Sequence, residues 1–304
     1  MEALLSNGIR NDLFDAAFLR RIEHLSLLAR RMASSGTRAQ RRARKVGSGI
    51  EFADHRAYTA GDDPRYIDWK VFGRSERLLL RQYEEEEDLS VYFMLDRSAS
   101  MGMAPEGQRS LFERGLQITA ALSYISLSNL DRVAVVPFAD RQARPQRPVR
   151  GKGQFFRILR ELSALELSGQ THLNAALRDF PRYRSRRGLV VLISDFYDVE
   201  GLGDGLRYLA LNGYEPMVLQ LADEGLFRSD HWGDLSLVDV ETGETREVTL
   251  TPALLKAYRV AFERLSDRIA SLSREVGARH LRVDVSSPFD EVVMKIFRTG
   301  GFLG

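Results

Sequence analysis

The chain has 304 residues, of which 44% are hydrophobic, with 44 Lys and Arg against 42 Asp and Glu. That length buries one large core plus an appendage, and a net charge of +2 excludes a global field drawing the whole protein to nucleic acid. The lack of cysteine excludes disulfides and thiolate metal sites. No apolar run approaches the roughly 20 residues of a membrane helix, and the start MEALLSNGIRNDLFD does not read as a signal peptide, so the expectation is a soluble, cytoplasmic protein.

From Asp12 to Met32, Leu13, Ala17, Leu19, Ile22, Leu25, Leu28 and Ala29 recur at three- and four-residue intervals. The spacing predicts an amphipathic helix with Arg20, Arg21, Arg30 and Arg31 around its other face. Ser34 to Gly49, SSGTRAQRRARKVGSG, has no hydrophobic period and reads as a basic linker, so residues 1–49 are an N-terminal helix and basic linker. A run like this is usually a solvated charge cluster. Its functional alternative is nucleic-acid contact through Arg38, Arg41, Arg42, Arg44 and Lys45. Residues 50–88, dense in Arg, Asp, Tyr and Trp, read as a small irregular β module around a turn at AGDDPR, where Gly61, two Asp and Pro64 supply the turn chemistry.

Residues 89–304 alternate strands and helices. The strands are LSVYFML (89–95), RVAVVPFA (132–139), GLVVLIS (188–194), PMVLQLA (216–222) and HLRVDVS (280–286). Helical patterns cover 107–129, 153–164, 172–184, 200–212, 252–276 and 288–299, and 234–250 reads as a β-hairpin. Continuous Val, Ile and Leu runs alternating with helices predict a doubly wound α/β domain, its mostly parallel sheet covered on both faces.

In such a sheet, ligands bind beyond the carboxyl ends of the strands, where the strand order reverses. Asp96 closes the first long strand and is followed at alternate positions by Ser98 and Ser100; Asp195 closes the third, and Thr171 lies in the intervening loop LSGQTHLNAAL. If the two strands are neighbours, these five residues offer an all-oxygen set with two formal charges. Such a set suits Mg2+ or Mn2+ and leaves the ion able to accept a further carboxylate. The plain alternative is that the same residues only cap helices and turns. His172, beside Thr171, reads as a surface residue rather than a ligand.

Asp-x-Ser-x-Ser at a strand end, a later Thr and a later strand-end Asp resemble the metal-ion-dependent adhesion site of von Willebrand factor A domains, with Asp96, Ser98, Ser100, Thr171 and Asp195 filling its positions. The preceding block, EFADHRAYTAGDDPRYIDWKVFGRSERLLLRQYEEEED, is similar to the signature of the bacterial family catalogued as domain of unknown function 58. The matching positions are Arg56, Tyr58, Gly61, Asp62, Asp63, Arg65, Ile67, Asp68, Trp69, Arg74 and Glu86 or Glu87, and Gly73 departs from an Ala more usual there. The resemblance implies a von Willebrand factor A-like fold, a Mg2+ or Mn2+ site and a MoxR-type AAA+ ATPase as partner.

For the block itself, a structural network of Arg56, Tyr58, Asp62, Asp63, Arg65, Asp68, Trp69 and Arg74 is weighed against a docking surface for the ATPase. One glutamate of EEEED is a candidate partner for Arg74 or Arg81. The functional expectation is a non-enzymatic protein-binding module working with that ATPase on a client offering Asp or Glu to the metal. The enzymatic alternative is a Mg-dependent phosphohydrolase with Asp96 as nucleophile. It lacks the second Asp two residues on, a position occupied by Ser98.

Overall fold

A computed structural model describes residues 10, 12–34, 46–47, 51–59, 61–84, 89–104, 107–139, 147–183, 186–225, 233–239, 243–300 and 302. It divides into two compact units, one within 1–30 and 89–302, the other chiefly within 31–88.

Helix α1 spans Ala16–Ser34. Its buried stripe is Phe18, Ile22, Leu25 and Ala29, together with Leu13 and Phe14 just before the helix. The expected stripe is corrected at three positions, because Ala17 is exposed and Leu19 and Leu28 are only half-buried, while the larger Phe14 and Phe18 take the inward face. The compact unit that contains 89–302 also takes in the chain through Arg30. Large aromatic area drives this docking, with Phe18 packed on Phe289 at 5.5 Å between ring centroids. Polar contacts fix the docking, with Arg10 Nη2 3.2 Å from Glu113 Oε1 and Gln117 Nε2 donating to Leu13 O at 3.3 Å.

The smaller unit contains β1 (Val46–Gly47), β2 (Glu51–Ala57), α2 (Trp69–Ser75) and β3 (Leu79–Glu84). The strands form an antiparallel sheet in the order β1-β3-β2, with a register shift in β2 between Phe52 and Asp54. Of the basic linker residues singled out above, Arg38, Arg41, Arg42, Arg44 and Lys45 lie outside the described residues, as do Glu86 and Glu87.

The larger unit continues with β4 (Ser90–Asp96), α3 (Leu111–Ser128), β5 (Arg132–Phe138), β6 (Val149–Arg150), α4 (Phe155–Ser163), α5 (Leu173–Asp179) and β7 (Leu189–Ser194). It is completed by α6 (Leu202–Leu211), β8 (Glu215–Ala222), β9 (Gly233–Val238), β10 (Thr245–Leu250), α7 (Pro252–Glu275), β11 (Arg279–Asp284) and α8 (Phe289–Thr299). One sheet runs β11-β8-β7-β4-β5-β6, parallel throughout except for the antiparallel edge strand β6. This is the doubly wound architecture read from the strand runs.

Every residue of β4 is buried. Tyr92 and Met94 face a core that includes Leu173 and Leu177 of α5, Leu202, Leu206 and Leu209 of α6, and Ile269 of α7. Phe93, on the opposite face, stacks on Phe302. Helix α3 starts later than its hydrophobic pattern because Ser110 and Glu113 form a reciprocal capping box there. Helix α5 gives way to a 3-10 turn at Phe180–Tyr183, where Pro181 has no amide hydrogen to continue an α-helix. The predicted hairpin is β9 paired with β10, in register from Val238↔Thr245 to Gly233↔Leu250.

The chain lays β5 on one side of β4 and then returns to lay β7 on the other. The strand order therefore reverses at the β4/β7 boundary, which makes the ends of those two strands the place to look for a site. As a check on the role of α1, Ile22→Ala empties a fully buried position and is expected to lower stability by about 3 kcal/mol. Denaturant unfolding measures this, and a change within error would mean that the helix is not part of the cooperative core.

Candidate metal centre

Asp96 ends β4 with no exposed surface. Its Oδ1 accepts the Ser98 amide at 2.9 Å, and its Oδ2 accepts Ser194 Oγ at 2.6 Å and Thr171 Oγ1 at 3.4 Å. Ser98 Oγ and Ser100 Oγ are 3.1 Å apart, in the buried turn that leaves the strand. Burial pushes the Asp96 carboxyl above the usual carboxylate range, and the hydrogen bonds from Ser194, Ser98 and Thr171 partly offset that effect.

Backbone bonds bring Thr171 to this place. Ser168 N donates to Arg97 O at 2.7 Å and Ala99 N donates to Gly169 O at 3.0 Å, so the loop before α5 is stitched to the loop after β4. Gly169 takes a φ of 67°, a left-handed conformation that glycine adopts without steric cost. Gly102 leaves room for the same loop, since a Cβ there would lie 2.8 Å from Leu167 Cδ1.

Asp195 follows directly on β7 and is 3% exposed, with Oδ1 accepting the Tyr197 amide at 3.2 Å. Parallel pairing of Leu95 with Ile193 sets Ser194 level with Asp96, so Asp195 stands at the neighbouring strand end. Ser194, which was not singled out in the sequence, joins the two strand ends: its Oγ donates to Asp96 and accepts the Phe196 amide at 3.0 Å. Its position at a strand end just before an Asp was the available signal. Phe196 is fully buried at a φ of 57°, an unusual conformation for a bulky residue, and it turns the chain sharply away from the sheet. His172 is exposed and occupies the N-cap position of α5 without a side-chain capping bond.

Among the described residues, no three His, Asp or Glu side chains gather in a way that could hold a metal. The candidate set is instead two carboxylates with three hydroxyls. Chemically it fits a hard divalent ion that keeps several waters, and it does not fit zinc or another metal that favours nitrogen and sulfur.

The Arg/Asp/Trp block lies in the smaller unit and resolves into three local clusters. Arg56 grips Asp62 through two parallel bonds of 2.9 and 2.6 Å, and Asp62 also accepts Thr59 N and Oγ1. Gly61, beside this clamp, has a φ of 109°. Asp63 caps the turn Pro64–Tyr66 by accepting the Arg65 amide, and it also pairs with the Arg65 guanidinium at 2.6 Å. Asp68 caps α2 through the amides of Lys70 and Val71, lies 2.9 Å from Arg81 Nε and 3.0 Å from His55 Nε2, and is followed by an exposed Trp69.

Arg81 and His55 hold the Asp68 carboxyl below its ordinary range, and Arg56 and Thr59 do the same for Asp62. Tyr58 is half-buried and donates its amide to Leu78 O, Ile67 bridges to Leu80, and Arg74 is exposed near the end of α2.

Residues 54–269 match the model of the family described as "Protein of unknown function DUF58", which is more than half of the chain. The chain belongs to this family. The DUF58 match takes in most of the smaller unit and all five candidate metal residues. It is also similar to the uncharacterized proteins Rv1480 of Mycobacterium tuberculosis and Mb1516 of Mycobacterium bovis, each 27% identical over 76% of this chain and 74% of theirs. Among solved structures, BatB from Bacteroides thetaiotaomicron aligns at 18% identity over 71% of this chain and 98% of that one, with a TM-score of 0.47. The SpRpn10 VWA domain aligns at 11% identity over 68% and 94%, with a TM-score of 0.39.

The lowered Asp68 carboxyl has a testable sign. Its ionised form contributes stability that is fully present above the unfolded value of 3.8 and is lost as the pH falls toward the lower folded value. Asp68→Asn is therefore expected to be less stable than wild type at neutral pH, with the gap narrowing below pH 3.8. Unfolding midpoints of the two proteins across pH 2 to 7 check this, and a pH-independent gap would assign the loss to packing alone.

Proposed function

We propose that this DUF58 protein is a non-enzymatic protein-binding module of the von Willebrand factor A-like kind. Asp96, Ser98, Ser100, Thr171 and Asp195 hold Mg2+ or Mn2+, and a client protein supplies an Asp or Glu carboxylate to complete the ion's shell. The observation that carries this reading is the meeting of the Ser98 amide and the Ser194 and Thr171 hydroxyls on the buried carboxylate of Asp96, at the point where the strand order reverses. When bound, the ion supplies a Lewis-acidic position that attracts an anionic ligand.

The chain's own residues do the positioning. Ser194 and the Ser98 amide fix the direction of the Asp96 carboxylate, and the bonds between the Gly169 and Ala99 segments hold Thr171 beside it. With only two carboxylates, the site leaves a divalent cation short of negative charge, which favours capture of a third from outside. A MoxR-type AAA+ ATPase is the partner this reading assigns, the family resemblance being the support for it. Phosphoryl transfer through Asp96 is disfavoured, because the position two residues on, where such an enzyme carries a second Asp as general acid, is occupied by Ser98.

Calorimetric titration of Mg2+ and Mn2+ into wild type and Asp96→Ala, with the fold checked by circular dichroism, tests the proposal. Saturable binding in wild type that disappears in a folded Asp96→Ala is the expected result. Equal binding by the two proteins, or none by wild type, would overturn the assignment.

A further inference from the structure

A second cluster in the larger unit has the opposite character to the metal residues. Arg21 of α1, Arg109 before α3 and Arg114 within α3 line one cavity of 180 Å³ with Phe18, Phe289 and Asp15. Three guanidinium groups therefore meet a single carboxylate among the lining residues, and that carboxylate is engaged in capping α1 through the Phe18 amide at 2.6 Å.

The three cations are neutralised unequally. Arg21 pairs with Asp290 at 3.0 Å. Arg109 donates to Asp12 O at 2.9 Å. Arg114 donates through Nε and Nη2 to Val285 O at 3.1 and 2.8 Å, and also to Ser287 O. Among the described residues, neither Arg109 nor Arg114 has a carboxylate at ion-pair distance.

Carbonyl oxygens satisfy the geometry of a guanidinium without cancelling its charge. Arg114 is half-buried, and burial together with the charges of Arg21 and Arg109 makes its cationic form harder to hold, an effect that the charge of Asp284 only partly offsets. The Phe289 ring, 5.2 Å from Arg21 Cζ and 5.6 Å from Arg114 Cζ, softens the crowding without removing it.

We infer that this cavity binds a small phosphate-type anion, inorganic phosphate or a compact phosphomonoester. Arginines approaching from two helices and a loop match a tetrahedral dianion, which accepts hydrogen bonds in several directions at once. The volume is below the roughly 300 Å³ at which sites for drug-sized ligands begin, so the ligand is small. Phe18 and Phe289 offer an apolar wall for the body of an ester. The mouth is open to solvent, since Arg21, Arg109, Asp15 and Ala17 are all exposed. This site is independent of the metal residues and of the function proposed for them.

The test is calorimetric titration of the full chain with inorganic phosphate and with phenyl phosphate, in EDTA and at constant ionic strength. It compares wild type, Arg109→Gln, Ala17→Glu and Asp96→Ala, each checked for fold by circular dichroism. Ala17 is an exposed helical position lining the cavity, so a glutamate there places a competing carboxylate without disturbing the core.

The expected result is saturable binding in wild type and Asp96→Ala, weakened by about tenfold or more in Arg109→Gln and Ala17→Glu. No saturable binding in wild type, unchanged affinity in either cavity variant, or loss of binding in Asp96→Ala would overturn the inference.

Discussion

The constraint that organises the larger unit is a carboxylate held away from water at the end of its central strand. Burying Asp96 costs free energy unless polar groups replace the lost solvent, and here one amide and two hydroxyls do so. Those donors come from separate pieces of chain: the turn after β4, the loop before α5 and the end of β7. To gather them, β7 must lie beside β4 in parallel register, and the loop before α5 must be tied to the turn after β4. Local irregularities follow from this demand, including the left-handed Gly169 and Phe196 and the closely approached Gly102.

Much of this was legible in the sequence, for identifiable reasons. A strand buried on both faces has to be written almost entirely in apolar residues, so β4, β7 and β8 announce themselves, and an Asp at the end of such a run stands out. The hairpin of β9 and β10 was legible from its turn residues. Ser194 was not, because a single serine at a strand end carries no periodic signal and matters only through a partner 98 positions away.

The inward face of α1 was misjudged for a related reason. Leu13, Ile22, Leu25 and Ala29 were read correctly, but Phe14 and Phe18 define a slightly rotated stripe that leaves Ala17 exposed and Leu19 and Leu28 half-buried. The identity of the surface receiving that helix depends on contacts such as Phe18 with Phe289, 271 positions apart, which no local pattern encodes.

Near-neutrality of the whole chain conceals two different ways of handling arginine. In the smaller unit, Arg56 and Arg65 each meet an aspartate within a few residues along the chain, so their charge is spent locally and the turn around Gly61 and Pro64 gains order. Such exposed pairs contribute little stability individually, and their effect lies in fixing loop shape. In the larger unit, Arg109 and Arg114 are satisfied by backbone carbonyls, which consume hydrogen-bond donors without cancelling the charge, and Asp284 offsets that of Arg114 only in part. Composition counts both kinds of arginine equally. Only the folded chain separates the charges that shape a loop from those that remain to attract an anion.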